Sequence, residues 1–256
     1  RIAQAFKGGK VFVGFVTGGD PSVARSEEYI LAMIDAGAGL IEIGIPFSDP
    51  IAEGPVIQEA NLRALAAGTT VNTLFNLVRS LRQKTAVPFV FLTYLNPVYH
   101  YGYEAFFATC EEAGVDGIII PDLPYDEKGE LAGIAAAHGV DVISLVAPTS
   151  EGRIRAIAGD ATGFIYLVSS LGVTGVRSNI TTNLEAIVST ICEVTSVPVA
   201  VGFGVHTPEQ ARDIAQIADG VIVGSALVKI IAANPDTASA ELYRYVKEMV
   251  EAVTTA

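Results

Sequence analysis

Eight short apolar runs recur along the 256-residue chain, and all eight are followed by a longer stretch with helical spacing. The runs cover 11–16, 40–45, 87–93, 115–120, 140–146, 163–168, 197–201 and 220–223. They are rich in Val and Ile and alternate little with polar residues, as strands buried on both faces of a parallel sheet do. Segments 22–36, 70–84, 103–113, 126–138, 151–158, 182–194, 208–217 and 238–253 repeat apolar residues at helical intervals, as Tyr29, Ile30, Met33 and Ile34 do in the first. Thr207-Pro208-Glu209 puts a Thr cap ahead of a first-turn proline. Eight strand–helix units with no shift in composition and no linker predict an α/β fold, a (β/α)8 TIM barrel filling residues 1–256 as a single domain. A doubly wound open sheet fits less well, because it normally has fewer units and no G-x-G-x-x-G follows the first run.

Composition removes several functions. The chain has 28 acidic and 16 basic side chains, a net charge of −12, which argues against nucleic acid or a polybasic membrane surface as partner. Half of it is hydrophobic, so disorder is excluded. No run approaches the roughly 20 apolar residues of a membrane span. The first ten residues, RIAQAFKGGK, have no apolar export core. Cys110 and Cys192 make neither a disulfide framework nor metal-ligand spacing; buried or inert thiols in a reducing compartment, the cytoplasm, are expected.

Two stretches exceed an ordinary strand-to-helix loop, 46–55 after the second strand and 171–182 after the sixth. Both lie on the face where barrels keep their chemistry. Glu42 is a charge inside the otherwise apolar second strand. Burial without a partner raises a carboxyl pKa, which suits a general acid/base. The loop behind it carries Pro46, Pro50 and Pro55 together with Ser48, Asp49 and Glu53, a stiff presentation of a site or an interface. Gly202-Phe203-Gly204 after the seventh strand and Gly224-Ser225 after the eighth, ahead of a short helix at 226–231, match a barrel phosphate site built from backbone amides and a helix N-terminus. Ser169-Ser170-Leu171-Gly172-Val173-Thr174-Gly175 forms a hydroxyl-rich loop suited to a lid. Tyr94, Asp122 and Tyr166 fall at or near strand ends on the same face, with packing and site roles both open.

Absences narrow the chemistry further. None of the six lysines (Lys7, Lys10, Lys84, Lys128, Lys229, Lys247) falls at a strand end, which disfavours a Schiff-base mechanism. His100, His138 and His206 are scattered without ligand spacing, so no metal site is predicted. What remains is metal-free acid/base work by carboxylates on a small phosphorylated molecule.

Four segments then carry a resemblance that runs in order over essentially the whole chain. They are Phe12-Val13-Gly14-Phe15-Val16-Thr17-Gly18-Gly19-Asp20-Pro21, Glu42-Ile43-Gly44-Ile45-Pro46-Phe47-Ser48-Asp49-Pro50, Gly172-Val173-Thr174-Gly175 and Gly202-Phe203-Gly204. Together they resemble the tryptophan synthase alpha chain family. The resemblance implies retro-aldol cleavage of indole-3-glycerol phosphate to indole and glyceraldehyde 3-phosphate. It implies no cofactor in this chain, with pyridoxal phosphate only in a beta-chain partner of an alpha2-beta2 heterotetramer. Glu42 then matches the general acid/base that protonates indole C3, and Tyr166 stands beside it. Phe15, Leu92, Tyr94 and Phe203 match positions around the indole ring. Thr174 matches the lid residue that orients the loop carboxylate, and Gly175, Gly204, Gly224 and Ser225 match the phosphate cradle. Pro46 and Asp49 match the loop that touches the beta chain, and Asp122 lies at the hinge between site and interface.

One residue departs from the family pattern. Its second catalytic carboxylate is usually the Asp of Ala-Asp-Gly-Pro, whereas this chain has Ala52-Glu53-Gly54-Pro55. Glu53 keeps the charge that accepts the indole N–H but adds a methylene, and a misplacement of about 1 Å can cost roughly a hundredfold in rate. An adjusted loop around Glu53 is the favoured expectation. The alternative is a weakly catalytic regulatory subunit that binds the ligand and activates a pyridoxal-phosphate beta partner. A stand-alone isomerase or epimerase acting on another sugar phosphate is the remaining reading.

Overall fold

In a computed structural model of the chain, the backbone is described for residues 1–169, 177–202 and 204–256, and side chains for all of these except 177–183. The apolar runs become nine parallel strands: β1 (Val11–Thr17), β2 (Leu40–Gly44), β3 (Phe89–Leu92), β4 (Gly117–Ile119), β5 (Asp141–Val142), β6 (Ser144–Val146), β7 (Ile165–Val168), β8 (Val199–Gly202) and β9 (Gly220–Val223). They hydrogen-bond in the order β5-β4-β3-β2-β1-β9-β8-β7-β6.

The two ends of that order are consecutive in the chain, and this is how the barrel closes. The fifth run was expected as one strand over 140–146. It is instead divided at Ile143, whose amide donates to the Ile118 carbonyl at 2.9 Å. β5 pairs with β4, and β6 pairs with β7. A strand that must satisfy neighbours on two tilted sides of a closing sheet changes its pairing partway along. The eight expected strands are all present, one of them in two pieces.

The helices are α1 (Ile2–Lys7), α2 (Val23–Asp35), α3 (Pro55–Ala66), α4 (Val71–Arg82), α5 (Leu95–Tyr101), α6 (Tyr103–Ala113), α7 (Gly129–Ala137), α8 (Glu151–Gly159), α9 (Arg177–Cys192), α10 (Pro208–Ala215), α11 (Ser225–Ala233) and α12 (Ala238–Thr254), with a 3₁₀ turn at Tyr125–Glu127. The eight long segments read from spacing appear as α2, α4, α6, α7, α8, α9, α10 and α12, and the short helix after the eighth strand is α11. Three helices were not anticipated. α1 turns Ile2 and Phe6 into the barrel floor, where Phe6 lies 5.9 Å from Phe164. α3 buries only Ala60, Asn61 and Ala64, a stripe too small and too polar to stand out in the sequence. α5 carries Pro97 in its first turn, where a missing N–H is tolerated. α9 starts at Arg177, so the end of the expected 171–182 loop is helical.

Strand side chains alternate between the barrel interior and the helix layer. Val11, Val13, Leu40, Val90, Ile119, Ile143, Phe164, Ala200 and Ile222 form the interior cluster. Phe12, Ile41, Ile43, Phe89 and Phe91 belong to the larger cluster under the helices. The period of two therefore sends Glu42 to the same face as Leu40, into the barrel. It likewise sets Phe15 above Val13 and Tyr166 above Phe164. α3 is tied to the loop after β1 by the Asp20–Arg63 pair, in which Nε and Nη2 each donate to a carboxylate oxygen at 2.8 Å, and Asp20 is 1% exposed.

Candidate active site

Glu42 occupies the middle of β2, opposite Phe15 of β1 and Val90 of β3. It is 2% exposed, and its Oε2 has no hydrogen-bond partner among the described residues. Burial disfavours the ionised form and, with the charge of Glu53 added, pushes its carboxyl up to about 8. A carboxyl in that range carries its proton at neutral pH, as a general acid requires.

Glu53 sits at the end of the β2–α3 loop, half-buried, and it is held from several sides. Asn61 Nδ2, one side of α3, donates to its Oε2 at 2.6 Å, and Gln58 Nε2 donates to its backbone carbonyl at 2.8 Å. The Tyr94 hydroxyl also bonds the carboxylate, and it accepts the Ala52 amide at 3.1 Å. Burial raises the Glu53 carboxyl, and the Asn61 and Tyr94 hydrogen bonds oppose that rise by favouring its anion. Tyr94 itself is 1% exposed, and burial first, with the backbone amides and the Glu53 charge acting on it as well, leaves its phenol at about 12. It therefore stays a neutral donor.

The apolar wall is assembled around Phe15. Its ring clusters with Ala60 of α3 and Val228 of α11, and with the half-buried Val56, Ile57 and Leu92. Gly44 makes this possible, because a Cβ there would fall 2.8 Å from Phe15 Cζ. Opposite, Tyr166 lies against β8, and a Cβ on Gly202 would come within 2.5 Å of its Oη. Burial, with the nearby Glu42 charge, raises the Tyr166 phenol well above its ordinary value. Ser169, at the root of the lid-like segment, donates from both its amide and its hydroxyl to the Gly202 carbonyl at 3.0 Å.

The anion end follows from backbone geometry. Gly224 is the N-cap of α11 and brings no side chain to it, and Ser225 opens the first turn. The first amides of a helix point outward without intrahelical partners and carry the positive end of its dipole. Gly204 has φ +81°, and its carbonyl accepts from His206 Nδ1 at 2.8 Å. Asp122 Oδ1 accepts the Leu95 amide at 2.8 Å, capping α5 directly behind Tyr94. In the loop, Pro46 is buried and Asp49 is exposed beside Ser48, while Ile51 is 77% exposed.

The structure thus brings Phe15, Glu42, Glu53, Leu92, Tyr94, Tyr166, Gly224 and Ser225 to one end of the barrel. Thr174, Gly175, Phe203 and most of the lid segment lie outside the described residues. Asn61 went unread in the sequence. The signal was there, a lone Asn inside the Ala60–Ala64 stripe of a helix opened by Pro55, but it needs the helix to be seen first. Cys110 is buried, as expected of an inert thiol, whereas Cys192 is exposed. Among the described residues, no cluster of His, Cys, Asp or Glu is placed to hold a metal ion, and no helix is long and apolar enough to cross a membrane.

A sequence-family model of the tryptophan synthase alpha chain matches residues 3–254. The chain belongs to the tryptophan synthase alpha chain family. The alpha chain of Lacticaseibacillus casei is 48% identical over 253 residues, covering 99% of this chain and 95% of the relative. That of Lactiplantibacillus plantarum is 51% identical, covering 98% and 96%. Among solved structures, tryptophan synthase subunit alpha from Legionella pneumophila superposes with a TM-score of 0.91 at 34% identity, over 100% of this chain and 98% of that one. The tryptophan synthase complex from Pyrococcus furiosus gives 0.86 at 36% identity, over 95% and 99%. The barrel predicted from the apolar runs is therefore the family fold, and the chain is a lyase of that family.

Proposed function

We propose that this chain cleaves indole-3-glycerol phosphate to indole and glyceraldehyde 3-phosphate, with Glu42 and Glu53 in separate roles. Indole leaves well only after C3 is protonated. Glu42, dry and protonated at neutral pH, delivers that proton and manages the proton of the glycerol hydroxyl as the carbon–carbon bond breaks. Protonation at C3 makes the ring nitrogen electron-poor. Glu53, whose anion the Asn61 and Tyr94 hydrogen bonds favour, accepts the indole N–H and stabilises the developing positive charge. The observation that carries this reading is the buried Glu42 carboxyl, whose Oε2 has no partner among the described residues, within electrostatic reach of a tethered second carboxylate.

Phe15, Leu92, Tyr94 and Phe203 would line the indole, with Tyr166 beside Glu42. Gly175, Gly204, Gly224 and Ser225 would hold the phosphate through backbone amides, and Thr174 would orient Glu53 from the lid. The loop that exposes Asp49 and Ile51, with Pro46 buried beneath it, would face a beta chain that holds the pyridoxal phosphate, this chain needing no cofactor of its own. The Pyrococcus furiosus relative is solved as a tryptophan synthase complex, which supports an alpha2-beta2 assembly here. Asp122 would couple interface and site through its cap on α5. One continuous sheet supports a single domain over 1–256, and free cysteines support a cytoplasmic location.

The test is indole release from indole-3-glycerol phosphate by the purified chain, alone and with a beta partner. Release that rises on adding the partner is expected. Intact protein that binds the substrate yet releases no indole in either condition would leave the regulatory-subunit reading in its place.

A further inference from the structure

A cavity of about 210 Å³ opens between the segment that links β4 to α7 and the helix α8, where the barrel closes. α7 packs on β5 and α6, while α8 packs on β6 and α9, and the cavity lies where the fifth strand divides between them. Ile120, Leu123, Val142 and Ile157 line it with apolar surface, and Lys128 and Arg153 reach it with cationic side chains.

The Lys128 ammonium is half-buried. It donates to Ser144 Oγ at 3.2 Å and to the Asp160 carbonyl at 3.1 Å, both neutral acceptors. Among the described residues, no carboxylate makes an ion pair with it. An ammonium has three protons, so one donor remains for a further partner. Burial lowers its pKa, while the more distant Asp160 and Asp141 charges oppose that. Arg153 makes one long ion pair, to exposed Asp126 at 3.3 Å. The chain enters two helices beside the cavity. Lys128 is the N-cap of α7 and Thr149 precedes the N-cap of α8, and neither helix has a side-chain cap on its first amides. The Lys128 and Arg153 cations thus face a cavity whose lining is part apolar and part polar.

We propose that this cavity is a binding site for a small organic acid, whose carboxylate meets Lys128 and Arg153 and whose apolar body rests on Ile120, Leu123, Val142 and Ile157. Its volume lies below the roughly 300 Å³ at which pockets begin to hold drug-sized molecules, which sets the ligand at the scale of a single ring or a short chain. The anion relieves a desolvated ammonium and displaces Asp126 from Arg153. None of its lining residues is one assigned to the chemistry of Glu42 and Glu53.

Phenylacetate is the probe, titrated into the purified chain by ligand-observed NMR, with phenylacetamide as the neutral isostere and inorganic phosphate as the anion without a body. Saturable phenylacetate binding is expected, at least tenfold tighter than the amide or phosphate. Lys128→Met, which keeps the stem and removes the charge, should weaken it at least tenfold, and Ile157→Trp should fill the cavity and abolish it. Saturating indole with glycerol 3-phosphate, which the proposed function places beside Glu42 and Glu53, should leave it unchanged. No saturable binding, equal binding of acid and amide, phosphate binding as tightly as phenylacetate, an unaffected Lys128→Met protein, or displacement by indole and glycerol 3-phosphate would each overturn the proposal. If Ile157→Trp does not fold, the isostere comparison and Lys128→Met decide.

Discussion

Glu42 and Glu53 lie within electrostatic reach of each other and have opposite surroundings. Glu42 grows from a strand, is almost sealed from water, and has an oxygen with no partner among the described residues. Glu53 grows from a loop, is half-buried, and is tied to Asn61 and Tyr94. Both carboxyls rise on burial, but only that of Glu53 is pulled back toward its anion by donors. One fold thus treats two acids differently, sealing the first and supplying donors that oppose the effect of burial at the second. The rigid strand delivers position without partners, whereas the loop needs a neighbouring helix to supply them.

The largest expected effect strikes the sealed carboxyl. Glu42→Gln should lower kcat for indole release by about 10³-fold while substrate still binds, within the range for loss of a general acid/base. Unchanged turnover would remove Glu42 from the chemistry. The same variant reads out the sealing itself. In the folded chain Glu42 keeps its proton to about pH 8, but it ionises near its ordinary 4.5 when unfolded. Its contribution to stability is complete below pH 4.5 and is lost as pH rises to 8, by on the order of 5 kcal/mol. Melting temperatures of wild type and Glu42→Gln should therefore diverge in favour of the variant from pH 4.5 to 8 and run parallel above it. A constant difference would mean that the carboxyl is solvated.

The tethered carboxyl should respond to length before charge. Its seat spans from the loop to Asn61, so Glu53→Asp draws the carboxylate away and should reduce kcat/KM by about 10- to 100-fold. A faster Glu53→Asp enzyme would show that this seat does not fit Glu, and would favour the regulatory reading. The smallest effect tests the tether. Asn61→Ala removes a donor that favours the anion, so the Glu53 pKa rises. The acidic limb of the kcat/KM profile should move up by roughly one pH unit, equivalent to 1.36 kcal/mol, with kcat at the plateau reduced only a few-fold. A profile that stays in place would assign Asn61 to packing alone.

Glu42 was legible because two local rules met on it: a charge in an apolar run is rare, and the period of two fixes its face. Gly224 and Ser225 were legible for a similar reason, as a turn and a helix start adjoining in sequence. Asn61 and the seat of Glu53 were not. Their contact needs α3, whose buried stripe of Ala60, Asn61 and Ala64 is too weak a pattern to announce a helix. The position of α3 in turn depends on Arg63 reaching Asp20, 43 residues earlier. The division of the fifth strand was equally hidden, since nothing in 140–146 distinguishes a strand with two different neighbours from one with a single pairing.

The sequence by itself determined the eight strand–helix units, their parallel burial, the inward face of Glu42 and the glycine turn ahead of α11, because each is written in the spacing of adjacent residues. Only the tertiary structure decided where the barrel closes, what holds Glu53 in place of a shorter Asp, and that a cavity with Lys128 and Arg153 opens between the β4–α7 segment and α8. Those are contacts between distant segments, fixed by closure of the sheet and packing of the helices around it, and no local period carries them.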